Sequence, residues 1–228
     1  GINAFHPDSS ACIVVDGKVV VAIEEERILR LKHWAGFPEK AIATCLRIAN
    51  IQPSDIDKIA INRDSGTHKK EKLLYVIKNR PKLSNVVDRI NNRRKVGNIS
   101  SLLSDLLEID EKVIKGKLVP VEHHLTHLAS TFFTSPYKDS VICSIDGFGD
   151  FTSTMWGLGS GNNIKVEDSI SFPHSLGMLY QSITQFLGFW NYGDEYKVMG
   201  MAAYGRPTYM AEIMGLIKLC DGGKFELV

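Results

Sequence analysis

The residues with the clearest capacity for chemistry are His123-His124-Leu125-Thr126-His127, which follow a strand-like run and open a helix-like one. Two histidines four apart stack on one helix face. His123 and His127 can therefore converge on one metal ion, while His124 points elsewhere. A lone helical histidine is ordinarily structural, but three within five residues favour a metal. Position 124 is His rather than Glu, so the base of the HExxH metalloproteases is missing and that chemistry is disfavoured. Asp146 closes the apolar run Ser140–Ile145 and is followed by Gly147, Phe148 and Gly149. A carboxylate at a strand end can serve as a third ligand, and the two glycines would let a phosphate approach backbone N–H groups. Read by itself, the same stretch is a β-turn.

Three further clusters carry two readings each. His6 with Asp8, Ser9 and Ser10 can take a proton from a hydroxyl near neutral pH, or the polar residues can simply hold a turn. Arg30, Lys32 and His33 suit a phosphate or carboxylate ligand, or pair on the surface with Glu24, Glu25 and Glu26. Ser175, Gly177 and Tyr180, then Asp194, Glu195, Tyr196, Lys197 and Gly200, offer polar groups able to line a nucleotide cleft, without a diagnostic spacing.

These groups must be positioned by a mixed α/β chain. Ala11–Val15 and Val19–Ile23, joined by Asp16-Gly17, predict a two-residue hairpin. Pro38 precedes an amphipathic helix over Glu39–Ala49, and Ile56–Ile61 is a short strand. Strand pattern resumes at Leu118–Val121, a helix is expected over His123–Phe133, strands over Ser140–Ile145, Phe151–Leu158 and Ile164–Ser171, and a helix from Ser175 to about Leu187. Residues 66–115 change to Leu-rich helical periodicity and are expected to form a basic helical insertion within a domain made of 1–65 and 116–228. Between 66 and 95, ten Lys or Arg face two acids, Glu71 and Asp88. Tyr75 is the only aromatic there, so base stacking is not served. A solvated face is the expectation, and nucleic acid is not expected as a partner.

Composition excludes little. The 228 residues are 44% hydrophobic and 23% charged with net charge +1, an ordinary globular balance. No apolar run reaches the roughly 18 residues of a membrane span, and no signal-peptide layout opens the chain, so a cytoplasmic location is expected. Cys12, Cys45, Cys143 and Cys220 form no CxxC pair and are expected as buried free thiols. The start inside a strand-like run and the stop after Asp221-Gly222-Gly223 give the expectation of a piece of something longer.

Seven ordered blocks resemble the N-terminal domain of NodU/CmcH-type carbamoyltransferases: HPDSSA at His6–Ala11, EEERILRLKH at Glu24–His33, FP at Phe37-Pro38, HHLTH at His123–His127, DGFGD at Asp146–Asp150, FPHSLGMLY at Phe172–Tyr180 and DEYKVMGMAAYG at Asp194–Gly205. The resemblance implies an actin-like ATPase (ribonuclease H-like) lobe, incomplete at the C-terminus, with a YrdC-like domain downstream. It further implies that carbamoyl phosphate and ATP give carbamoyl adenylate, whose carbamoyl group passes to a hydroxyl of a small-molecule acceptor at a site holding divalent iron or zinc. Carried over by position, His123, His127 and Asp146 are the metal ligands and His6 the base. Lys32 contacts the adenylate, and Gly147, Gly149, Ser175, Gly177 and Lys197 line the nucleotide site. Pro7 departs from the family's tighter His-Asp form. The competing readings are an actin-like metabolite kinase, for which magnesium would leave the paired histidines unexplained, a metallohydrolase using metal-bound water, and a noncatalytic interaction module using the basic insertion.

Overall fold

The computed structural model describes residues 1–64, 66–79 and 98–228. Its contacts divide the chain into two compact units, Gly1–Gly66 with Leu73–Val121, and Thr67–Lys72 with Glu122–Val228.

The first unit is built on a five-stranded mixed sheet. Its strands are β1 (Ile2–Asn3), β2 (Ser10–Val15), β3 (Lys18–Glu24), β4 (Ile59–Ile61) and β5 (Leu118–Pro120), in the spatial order β3-β2-β1-β4-β5. β1, β2 and β3 pair antiparallel, whereas β4 joins β1, and β5 joins β4, in parallel. The β2–β3 turn forms because Asp16 (φ 48°) and Gly17 (φ 78°) both adopt the left-handed conformation of a tight hairpin. Helix α1 (Glu25–Leu29) is short. Helix α2 (Glu39–Ala49) buries Ala41, Ile42 and Cys45, the i, i+1, i+4 stripe of a helix laid on a sheet.

The acidic run before α2 is not a surface feature. Glu25 and Glu26 are buried. Glu25 accepts the Lys40 N–H at 3.1 Å and the Ala41 N–H at 2.6 Å, satisfying two orphan donors at the start of α2 and complementing its dipole. Of the pairs expected on the surface, exposed Lys32 meets Glu26 at 3.1 Å, and Glu24 pairs instead with Arg27 at 3.1 Å.

The segment expected as a helical insertion contains α3 (Lys69–Asn79), α4 (Ile99–Leu107) and α5 (Glu111–Lys117). Ile99, Leu103 and Leu107 of α4 and Ile114 of α5 lie in one buried cluster with Ile2, Ile42 and Ile59, so this later half supplies core to the first unit. Much of the basic stretch read from the sequence, including Arg93 and Arg94, lies outside the described residues.

The second unit contains α6 (His123–Phe132), then an antiparallel meander of β6 (Asp139–Gly149), β7 (Thr152–Ser160) and β8 (Asn163–Ser171). Beyond it come α7 (Leu176–Phe186), α8 (Glu195–Ala202), α9 (Met210–Met214) and the hairpin of β9 (Ile217–Leu219) with β10 (Phe225–Leu227). Leu128 and Phe132 of α6 pack on Ile142 and Met155 of the meander. No helix of the described residues is long and apolar enough to cross a membrane.

Candidate metal centre

Two elements of the second unit build the site. Helix α6 starts where the sequence places it because Glu122 caps it, accepting the Leu125 N–H at 2.7 Å. Strand β6 does not stop before Asp146 but runs on to Gly149. Its register against β7 jumps from Ile145↔Thr154 to Gly149↔Thr152, so residues 146–148 oppose a single β7 residue. This bulge takes Asp146 out of the ladder and re-aims its side chain.

On that frame His123 Nε2 lies 3.1 Å from Asp146 Oδ2, His127 Nε2 lies 3.4 Å from the same oxygen, and the two Nε2 atoms are 3.0 Å apart. First-row ions bind such ligands at about 2.0–2.2 Å, which separates neighbouring ligand atoms by roughly 3.0–3.4 Å. The triangle therefore fits one ion. The chemistry of the set, two imidazoles and a carboxylate, suits zinc or divalent iron rather than an oxygen-seeking magnesium. His123 is 5% exposed, while His127 and Asp146 are partly open to solvent, giving one rigid ligand and an accessible side. Hydrogen bonds from His123 and His127 are the main causes holding the Asp146 carboxyl far below the usual carboxylate range. Asp146 is an anion at any working pH.

The surrounding chain fixes these ligands. The Asp150 carboxylate accepts the His123 N–H at 3.1 Å, and the Gly147 N–H donates to Asp146 Oδ1 at 2.6 Å. Ser175, fully buried, reaches the carbonyls of Asp146 and Gly147 at 3.0 and 2.8 Å and accepts the Met178 N–H that opens α7. A Cβ on Gly177 would fall 2.7 Å from the Asp146 backbone, so α7 begins against the ligand-bearing bulge. Gly147, Gly149, Ser175 and Gly177 are thus gathered around Asp146. Lys197 stands elsewhere in the unit, paired with Asp194 Oδ1 at 2.6 Å and over the rings of Phe189 and Tyr196. A shallow depression lined by His127, Ser130, Thr131, Cys143 and Asp146 adjoins the triangle.

His6 and Lys32 belong to the first unit. His6 lies in the loop between β1 and β2, its Nδ1 3.3 Å from the Pro7 carbonyl. Asn3 and fully buried Ser9 pin that loop, Asn3 donating to the Pro7 and Asp8 carbonyls and Ser9 lying 3.0 and 2.8 Å from the His6 and Gly36 carbonyls. Asp8 accepts His33 Nδ1 at 3.0 Å. Lys32 binds Glu26 Oε1 at 3.1 Å, and the other oxygen of Glu26 takes the His33 N–H. Asp8, Glu26 and His33 form a second cluster of metal-ligating type, in which Lys32 and the His33 amide already satisfy the Glu26 carboxylate. Sequence reasoning missed the tasks of Asp150 and Glu122. The second Asp of DGFGD was a signal for the first, and an acid immediately before the histidine run was a signal for the second.

The fold and this triangle define an α/β chain that assembles a helix-borne histidine pair and a strand-borne aspartate at one point. The chain belongs to the carbamoyltransferase N-terminus family, which matches residues 1–227. Nodulation protein NolNO of Sinorhizobium fredii is 36% identical over 99% of this chain and 32% of its own length. Nodulation protein NolO of Bradyrhizobium diazoefficiens is 38% identical over 47% of this chain and 20% of its own. An uncharacterized protein of Synechocystis sp. is 35% identical over 100% of this chain and 38% of its own length. The chain spans about a third of the length of the curated relatives it matches from end to end.

Proposed function

We propose that this chain is the acceptor-side portion of a carbamoyltransferase that moves a carbamoyl group from carbamoyl adenylate, made from carbamoyl phosphate and ATP, onto a hydroxyl of a small molecule. The observation that carries the reading is the His123–His127–Asp146 triangle, sized for one divalent ion, within a chain of the carbamoyltransferase N-terminal family. The strand order β3-β2-β1-β4-β5, with the first three antiparallel and the last two parallel, supports an actin-like, ribonuclease H-like lobe. A YrdC-like domain elsewhere in the polypeptide would make the adenylate. A cytoplasmic setting suits a reaction that consumes ATP.

In this reading His123, His127 and Asp146 hold zinc or divalent iron, and the bound ion supplies Lewis acidity toward the carbamoyl oxygen. The chain's own residues do the rest. Lys32, held at 3.1 Å by Glu26, offers an anion contact for the adenylate. His6, on a loop that Asn3 and Ser9 hold in place, accepts the acceptor's hydroxyl proton. As the acceptor oxygen bonds to the carbamoyl carbon, the bond from that carbon to the adenylate's phosphate oxygen breaks and AMP leaves.

The test is metal content and carbamoyl transfer by the protein at its full natural length, with carbamoyl phosphate, ATP and a panel of hydroxylated acceptors. Bound transition metal and a carbamoylated product, both lost in the His123→Ala, His127→Ala double variant, are the expected result. A metal-free protein that phosphorylates an acceptor would replace this reading with that of a kinase.

A further inference from the structure

His124 lies between two of the three proposed ligands yet faces away from them. It is fully buried. Its Nε2 stands 3.0 Å from the Thr152 carbonyl oxygen, and its Nδ1 stands 2.8 Å from Ser144 Oγ. A carbonyl can only accept, so Nε2 carries the proton, and Nδ1 of the neutral ring accepts from the Ser144 hydroxyl. A single imidazole of α6 is thus tied to β6 on one side and to β7 on the other.

The two anchors are placed where they matter. Ser144 precedes Asp146 by two residues on β6, just before the bulge that frees the aspartate. Thr152 follows Asp150 by two, and the Asp150 carboxylate holds the His123 N–H. The span from 144 to 152 therefore carries both carboxylates that meet His123, and His124 grips it at its two ends. The ring centroid of His124 lies 5.5 Å from that of His123 and 5.8 Å from that of His127, close enough that a rotation of α6 moves all three rings together.

We infer that His124 is the positioning residue of the metal centre: it sets the depth and rotation of α6 on β6 so that His123, His127 and Asp146 fall within one coordination sphere. It is not one of the three ligands: its only free lone pair, on Nδ1, is taken by the buried Ser144 hydroxyl. Histidine suits the task because it presents an acceptor and a donor on a rigid ring, whereas an apolar residue of equal volume would leave Ser144 and Thr152 facing nothing. This inference rests on the metal reading proposed above.

The experiment is Co(II) affinity, by chelator competition, with the Co(II) absorption spectrum, in wild type, His124→Gln, His124→Asn and Ser144→Ala. The Gln amide nitrogen can still donate to Thr152 and the Asn amide oxygen can still accept from Ser144, so each keeps one anchor. Loss of outer partners of metal ligands typically weakens binding by about 10–100-fold. That weakening, with an altered spectrum at temperatures where the variants remain folded, is expected for all three. Folded variants with wild-type affinity and spectrum would overturn the inference while leaving the metal reading intact. A wild type that binds no Co(II), Zn(II) or Fe(II) would overturn both. Should the His124 variants not fold, Ser144→Ala, which removes a single hydroxyl, decides the matter alone.

Discussion

Gly149 lies so close to the ring of His123 that a Cβ built on it would fall 2.0 Å from the imidazole carbons. Contact that short is impossible, and His123 is 5% exposed with little room to retreat. The glycine read from the sequence as an approach for phosphate therefore has a steric task toward the histidine. Gly149→Ala is expected to displace His123 from Asp146, destabilise the fold by about 1–3 kcal/mol as over-packing does, and lower metal affinity. Gly147→Ala, whose Cβ would meet only Met178 Sδ at 3.9 Å, is the matched control. Equal losses in the two variants, by calorimetry and metal titration, would refute the steric argument.

A second expectation concerns pH. Burial, reinforced by the charge of neighbouring His123, lowers the His124 pKa from its ordinary 6.5 to about 4. The unfolded chain thus takes up this proton first as pH falls. Stability is complete above pH 6.5 and declines between 6.5 and 4, by up to on the order of 3 kcal/mol. Urea unfolding across this range, with chelator present so that metal release adds no slope of its own, should show the decline in wild type and lose most of it in His124→Gln.

The part of the architecture that sequence carries well is the part fixed by near neighbours. The Asp16-Gly17 turn, the Glu39–Ala49 helix and the helix start at His123 each follow from residues within a few positions, and the i, i+4 spacing of His123 and His127 puts them on one face by helix geometry alone. Asp146 is legible as a candidate ligand, but the bulge that frees it is not, because a bulge depends on the register of β7, a partner strand. Glu25 shows the limit most directly. Three consecutive acids have the pattern of a solvated face, and only the arrival of α2, 15 residues away, makes Glu25 a buried cap. Likewise Leu103 and Ile114 sit in a segment whose composition suggests an appendage, and they are core because the sheet of β1 and β4 lies beneath them.

Glu25 yields a third prediction. Its two oxygens meet the Lys40 and Ala41 amides. Glu25→Gln keeps one acceptor and places an NH2 group against an N–H donor. Loss of a cap costs about 1–2 kcal/mol, and an unsatisfied buried donor adds about as much again. Glu24→Gln, on the exposed pair with Arg27, should change stability by less than about 1 kcal/mol. Chemical denaturation of both variants checks the contrast, and a Glu24 effect as large as that of Glu25 would contradict it.

The last prediction concerns the metal itself. Nε2 of His123 lies within hydrogen-bonding distance of both His127 Nε2 and Asp146 Oδ2, and a neutral imidazole nitrogen can donate one proton or accept one, not both. A divalent ion would replace these shared contacts with three bonds made at once. Because only the folded chain gathers the three ligands, binding adds to stability by mass action, about 4 kcal/mol at a free metal concentration 1,000 times the Kd. Adding a strong chelator should lower the melting temperature of wild type, and zinc or ferrous ion should restore it. Asp146→Asn keeps the residue's shape but loses the anionic ligand, so its melting temperature should respond little to either addition. A wild-type melting curve indifferent to chelator and to every divalent transition metal would remove the metal from this site.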